Sequence, residues 1–253
     1  MTRTYLVTGA ASGIGRATAR LLAAQGHHVI TSDVRDADVI ADLGTAEGRD
    51  SAISGVRDAS RGSLDAVIAA AGTAEMTEMT VRVNYFGTIA LLNGLRPVLA
   101  DGTLPRAVVI SSLATVHPVI PAAVEACLAG DEEAAAAACS ISPISAYASS
   151  KRALARWVRR TAPTPAWAGA GIALNAIGPG VIVTPMTQSL LDDPVGVEML
   201  RTGAPMPFGG HAQPEQVAPI LAFLTSPENT LITGQMLFTD GGAEAVLRGD
   251  DIW

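Results

Sequence analysis

Apolar residues along the chain fall into short β-rich runs separated by longer stretches of helical period. Thr4 to Thr8 (TYLVT) is the first run, and it passes through Gly9 and Gly13 into an Ala/Leu-rich stretch from about Ile14 to Ala24. Strand, glycine turn and helix in that order open a βαβ unit. The pattern predicts further strands over His28 to Asp33, Val39 to Leu43, Asp65 to Ala69, Ala107 to Ile110, Ile172 to Ile177 and Met236 to Thr239. Helices are predicted over Ala46 to Ala59, Thr80 to Leu99, Ser145 to Arg160 and Pro214 to Leu224. Apolar strands alternating with helices imply a parallel sheet covered on both faces. No linker, repeat or charge block divides the chain, so residues 1–253 read as one domain. Two segments break the rhythm: Leu113 to Ile144, with its Ala-rich EACLAGDEEAAAAAC, and Thr184 to Gly210, rich in Met, Pro and Leu. Ligands of open α/β sheets sit beyond the carboxyl ends of the strands, where both segments emerge, so both are expected to wall a substrate pocket.

Composition narrows the class of protein. Hydrophobic residues make up 49% and charged residues 16% of the chain, the balance of a compact globule rather than a disordered polymer. A net charge of −7 without a basic cluster argues against a nucleic-acid partner. No apolar run reaches the roughly 18 residues that span a bilayer, and MTRTYLVTGA lacks the pattern of a secretory leader, so a soluble, cytoplasmic protein with no membrane partner is expected. Cys127 and Cys139 lack zinc-site spacing and read as small apolar side chains; no metal is expected.

The first candidate chemistry is the turn Thr8-Gly9-Ala10-Ala11-Ser12-Gly13-Ile14-Gly15. Glycines there permit close backbone approach, and the following helix N-terminus offers free N–H groups to a pyrophosphate. Asp33 ends the second strand, where its carboxylate suits an adenosine ribose diol and repels a 2′-phosphate, which favours NAD over NADP. The second is Tyr147 and Lys151, four apart and therefore on one helix face. A neighbouring ammonium stabilises a phenolate and brings tyrosine towards working pH as an acid/base for an alcohol oxygen. Sixteen of the 17 basic residues are Arg, and Lys151 is the one Lys. A compact ammonium does here what a guanidinium fork does not.

In these motifs the chain resembles the short-chain dehydrogenase/reductase family over nearly its whole length: Thr-Gly-x-x-x-Gly-x-Gly, Asn84 in VNYFG, Ser112 in VVISS, Tyr-x-x-x-Lys, Pro179-Gly180 in NAIGPG and the closing ITGQ…DGG occur in the family's order. The resemblance implies a Rossmann-type doubly wound parallel α/β sheet of about seven strands in a single domain. It implies that Ser112 hydrogen-bonds the substrate oxygen, that Tyr147 is the acid/base, and that Lys151 binds the nicotinamide ribose while lowering the Tyr147 pKa. Asn84 would hold a water linking Lys151 to solvent. Asp42, with Leu43 beside it, resembles the adenine contact, Ala71-Gly72 the cofactor-side turn, and Ile182 and Thr184 the contacts to the carboxamide. Ser111 competes with Ser112, and Ser112 matches the motif.

Departures from the family concern the substrate side. Ala69-Ala70-Ala71-Gly72 stands where the family has Asn-Asn-Ala-Gly, so bracing amides are missing. Gly72 and Asn84 are close in sequence, which trims one pocket wall, whereas the 35 positions from Ser112 to Tyr147 imply an inserted segment. This combination resembles the bacterial 3α-hydroxysteroid dehydrogenase/carbonyl reductase subgroup. The insertion lies beside helices that the family uses for tetramer contacts, so a homodimer is expected rather than a homotetramer. The expected function is NAD-dependent interconversion of a secondary alcohol and a ketone on an apolar cyclic or 3α-hydroxysteroid-like substrate. The alternatives are a dehydrogenase of another small or aromatic alcohol and a non-catalytic nucleotide sensor. His27 and His28 read as surface residues and Asp131-Glu132-Glu133 as a solvated helix start. His117, His211, Met186, Met199 and Met206 fall in the irregular segments, and whether they face the pocket is open at this point.

Overall fold

The computed structural model describes residues 1–142 and 145–250. Its strands are β1 (Thr4–Thr8), β2 (His28–Asp33), β3 (Val39–Ile40), β4 (Ala66–Ala69), β5 (Arg106–Ile110), β6 (Ala173–Pro179) and β7 (Met236–Thr239). They pair in parallel, in the order β3-β2-β1-β4-β5-β6-β7. The chain reverses its direction of travel across the sheet between β1 and β4, which opens a crevice at their carboxyl ends.

The connecting helices are α1 (Gly13–Ala24), α2 (Ala46–Ser60), the single turn α3 (Met79–Val81), α4 (Thr88–Ala100), α5 (Pro121–Ala129), α6 (Glu132–Ile141), α7 (Ala146–Thr161), α8 (Pro185–Asp192), α9 (Pro194–Gly203), α10 (Pro214–Leu224) and α11 (Ala243–Arg248). Side chains alternate across β1, and both faces are apolar because both are covered. Tyr5 and Val7 pack with Leu22 of α1 and Val217 and Leu221 of α10. Leu6 belongs to the opposite layer, with Val56 of α2, Leu91 and Leu95 of α4 and Leu154 and Val158 of α7. Cys127 and Cys139 are buried in that second layer. Among the described residues, no helix is long and apolar enough to cross a membrane.

Three predicted elements change form. The strand expected to reach Leu43 stops at Ile40, because the Asp42 carboxylate accepts the Gly44 N–H at 2.8 Å and turns the chain. The helix expected over Thr80 to Leu99 is interrupted by a π turn at Arg82–Gly87, the turn that carries Asn84. The segment Leu113 to Ile144 is largely helical rather than irregular; its last two positions, 143 and 144, lie outside the described residues. Pro121 starts α5, Gly130 at φ +81° ends it, and Asp131 caps α6 by accepting the Ala134 N–H at 3.0 Å. In Thr184 to Gly210, α8 and α9 each begin with proline, whose fixed φ suits the first helical position.

Candidate active site

A cleft of about 450 Å³ lies across the strand ends, and its walls are built from the sequence motifs. Gly9 takes φ +65°, and a Cβ there would stand 2.8 Å from the Ala70 and Ala71 backbone. A Cβ on Gly15 would overlap the Gly9 carbonyl oxygen, so the third glycine lets α1 seat directly on the loop. Ser12 precedes α1 without capping it, and the first helical N–H groups have no intrahelical partner by geometry, which leaves this end free for an anion. Asp33 stands at the rim, its carboxylate held by the N–H groups of Ala11 at 2.9 Å and Val34 at 2.7 Å. Asp42 and Leu43 line the same end.

Thr8 opens the glycine turn, and its bracing role is one that sequence reasoning did not assign. Its hydroxyl accepts the N–H groups of both Ala70 and Ala71 at 3.0 Å, so it braces β1 against β4 where amide side chains are lacking. A threonine closing the first strand opposite an alanine run was the available signal. Ala71 and Gly72 then continue the cleft wall towards its other end.

That other end holds Ser112, Tyr147 and Lys151. Ser111 and Ser112 separate clearly: the Ser111 hydroxyl is buried and donates to the Lys151 carbonyl at 2.9 Å, whereas Ser112 accepts the Ala114 N–H at 3.0 Å beside Tyr147. The Lys151 ammonium donates to the Ile110 carbonyl at 2.8 Å and lies 5.7 Å from the centre of the Tyr147 ring. Burial pushes this ammonium down to about 8. Desolvation raises the Tyr147 phenol above its ordinary range, and the Ser112 hydroxyl acts in the opposite direction. The lowering expected from Lys151 is not seen in the protein alone: burial raises the phenol, and the ammonium is turned to a backbone carbonyl.

Asn84 is fully buried behind the cleft wall. Its Oδ1 accepts the Thr73 N–H at 2.8 Å, and its Nδ2 donates to the Thr73 carbonyl at 2.9 Å and to Ser150 Oγ at 3.1 Å. It thus clamps the Gly72–Thr73 turn to α7. A Cβ on Gly72 would lie 3.0 Å from Asn84 Oδ1 and 3.4 Å from Lys151 Nζ, so the three residues form one contact group.

Pro179, Gly180, Ile182 and Thr184 form the opposite wall. Ile182 bridges to Ala212, the Thr187 hydroxyl donates to the Ile182 carbonyl at 2.6 Å, and Met206 packs beneath Gly180. Where Gly13 would carry a Cβ, the Thr184 methyl is 3.1 Å away, so this wall closes over the glycine loop.

Of the two segments expected to wall the pocket, residues 184–187 do so, while the lining passes from Ser112 to Tyr147 without any of residues 113–142. The reason is packing: α5 lies on α7 and α6 on α5, with the further contacts of α6 made to α3 and to the π turn that carries Asn84. Met186 lines the cleft, Met199 is exposed, His211 is exposed, and His117 faces Gly203 of α9. His28 is exposed, whereas His27 is half-buried against the Tyr5 ring, with centroids 5.0 Å apart, and burial lowers its pKa. Glu132 and Glu133 are not merely solvated; both form ion pairs with arginine. Among the described residues, no three His, Cys, Asp or Glu side chains gather in a metal-binding group.

The cleft fits a dinucleotide by its own geometry: glycines leave room for close approach at one end, a carboxylate stands at the rim, and a lysine and two hydroxyls stand at the other end. Residues 3–124 match the family model described as short chain dehydrogenase, and residues 133–244 the one described as Enoyl-(Acyl carrier protein) reductase. The 3-alpha-hydroxysteroid dehydrogenase/carbonyl reductase of Comamonas testosteroni is 41% identical, covering 96% of this chain and 97% of that protein. The cis-4-hydroxycyclohexanecarboxylate dehydrogenase of Sinomonas cyclohexanicum is 34% identical, covering 96% and 97%. The crystal structure of the 3-alpha-hydroxysteroid dehydrogenase from Pseudomonas sp. B-0831 with NADH superposes with a TM-score of 0.91 at 40% identity, covering 98% of this chain and 100% of that one. With sequence and fold matched almost end to end, this chain belongs to the short-chain dehydrogenase/reductase family and is one of its NAD(P)-dependent oxidoreductases.

Proposed function

We propose that the protein interconverts a secondary alcohol and a ketone on an apolar cyclic substrate of the 3α-hydroxysteroid type, with NAD preferred over NADP. The observation that carries this reading is the meeting of Ser112, Tyr147 and Lys151 at one end of a cleft whose other end is the glycine loop and Asp33. When held in this cleft, NAD would supply the hydride acceptor for the carbinol carbon and NADH the hydride donor for the carbonyl. In oxidation the Tyr147 phenolate accepts the hydroxyl proton of the alcohol; in reduction the Tyr147 phenol donates it to the carbonyl oxygen. Ser112 donates a hydrogen bond to that oxygen and fixes it beside the phenol. Lys151 contributes its charge to the ribose and phenol, and Asn84 positions the Gly72 turn against it. Asp33 supports the NAD preference, because a fixed carboxylate accepts from a ribose diol and repels a 2′-phosphate.

The cyclic-alcohol names of the two relatives favour a ring-bearing substrate, and Met186 supplies an adaptable apolar surface at the cleft. The protein acts as a dimer in this reading, since α5 of the inserted segment packs on α7, with α6 on α5; a four-subunit molar mass in light scattering overturns that part. The test of the function is a set of initial rates with NAD and NADP against secondary alcohols that include 3α-hydroxysteroids. Fast NAD-dependent oxidation of a 3α-hydroxysteroid with other alcohols slow supports the proposal. Turnover of small alcohols alone discards the substrate class, and binding of NADH with silence on every alcohol and ketone discards the reaction.

A further inference from the structure

Glu132, the first residue of α6, turns its carboxylate onto Arg49 of α2 in a two-point ion pair, with Nη1 to Oε2 and Nη2 to Oε1 both at 2.7 Å. Arg49 is 8% exposed, and the rest of its guanidinium serves backbone carbonyls. Its Nε donates to Leu43 at 2.8 Å and its Nη2 to Arg82 at 3.2 Å. Arg82 itself reaches Glu132 at 3.2 Å and Glu133 at 2.9 Å. These carbonyls belong to two walls of the cleft. Leu43 lies in the turn Asp42–Gly44, and Arg82 opens the π turn that carries Asn84. The walls touch, since a Cβ on Gly44 would meet Met79 and Val83.

Besides Arg49, the first wall is held by the buried Leu43 side chain and by the Ala41 N–H, which donates to the Asp33 carbonyl at 3.0 Å. β3 pairs with β2 at only two positions before the chain turns at Asp42. A buried guanidinium that loses its carboxylate is left uncompensated, and a bidentate pair sets direction as well as distance. We infer that Glu132 is a positioning residue for the cofactor: acting through Arg49, the inserted segment fixes the adenine-side turn Asp42–Gly44 against the turn that carries Asn84. The insertion thereby serves nucleotide affinity from a place that touches neither substrate nor cofactor. This inference rests on the assignment of Asp42 and Leu43 to the adenine end.

The test measures NADH dissociation constants by fluorescence and kcat at saturating cofactor for Glu132→Gln, Glu133→Gln and Asp42→Ala. Glu132→Gln is expected to weaken NADH about tenfold, with a smaller loss in kcat at saturating cofactor, because Asp42–Gly44 lines the end of the cleft opposite Tyr147 and bound NADH restores it. Glu133→Gln, which touches only the outer face of Arg82, is expected to bind NADH as the parent does. An unchanged dissociation constant in Glu132→Gln overturns the inference, as does a fall in kcat and melting temperature without a change in affinity. Asp42→Ala separates the two levels: if it leaves NADH binding intact, the adenine assignment itself fails, and if it weakens binding while Glu132→Gln does not, the inference alone fails. Should Glu132→Gln not fold, the double variant Arg49→Met with Glu132→Met removes both charges at similar volume. Weakened NADH binding in that variant supports the inference, and parental affinity overturns it.

Discussion

Lys151 donates its ammonium to the carbonyl of Ile110 at 2.8 Å, and Ile110 is the last residue of the strand that presents Ser112. The helix residue proposed to assist the phenol is therefore fastened to the strand that carries the proposed substrate-orienting hydroxyl. Together with the Ser111 hydroxyl, which donates to the Lys151 carbonyl at 2.9 Å, this bond sets the spacing between α7 and β5 at the reacting end of the cleft, and a positive charge is buried to make it.

That burial is visible in stability. The ammonium is pushed down to about 8 from its ordinary 10.5, so between these values the unfolded chain binds the proton more tightly than the folded one. Stability rises with pH wherever the unfolded state holds more protons. The melting temperature of the parent, taken relative to Lys151→Met, is expected to improve as pH is raised from 7 towards 10, measured by thermal unfolding of both proteins. A constant difference across that range removes the buried charge as its cause.

Lys151→Arg keeps the charge and is expected to lose turnover. Nζ is buried 3.4 Å from where a Cβ on Gly72 would stand, and a planar fork with five donors does not fit beside that backbone. Steady-state rates of the purified variant check this, and activity near the parent's would show that charge alone suffices.

Tyr147→Phe is expected to lower kcat by about 10²–10⁴, the range of a lost general acid/base, while NADH binding changes little. Calorimetric titration with NADH beside rate measurements separates the two effects. Retained turnover takes Tyr147 out of its proposed role.

The reduction direction carries a pH signature. Donation to the carbonyl needs the phenol protonated and Lys151 charged, and of these Lys151 titrates first, with its value near 8. The kcat/KM for NADH at saturating ketone is expected to be level below that pH and to decline above it, because this parameter reports the cofactor-free enzyme, in which Lys151 has that value. A profile still level at pH 9.5 contradicts the need for a charged lysine.

Gly15→Ala places a methyl onto the Gly9 carbonyl oxygen and forces α1 away from the loop. Overpacking of this kind costs about 1–3 kcal/mol, so a lower melting temperature and weaker NADH binding are expected together. Gly26→Asn is the comparison: Gly26 has φ +82° with nothing within 4 Å of its Cβ position, and asparagine tolerates that conformation. It is expected to bind NADH as the parent does.

The strands, the glycine turn and the Tyr147–Lys151 face were legible in the sequence because each depends on residues a few positions apart. A strand alternates every second residue and a helix returns every fourth, so β1, β2 and β7 appear at their predicted bounds and the phenol and ammonium share one face. Ordered motifs then carried the family and its cofactor class. Tertiary structure alone decided what those residues meet across long stretches of chain. Glu132 reaches Arg49 over 83 positions, Thr8 reaches Ala70 over 62, and Asn84 reaches Ser150 over 66. No periodicity encodes such pairs, since each arises where the packed sheet brings distant segments together. The same holds for the inserted segment, whose break in the pattern announced a pocket wall and whose α5 instead packs on α7, with α6 on α5 and joined to α2 by the Arg49–Glu132 ion pair. The phenol of Tyr147 follows this rule too: its motif signals a lowered pKa, and only the surroundings of the folded chain set the direction.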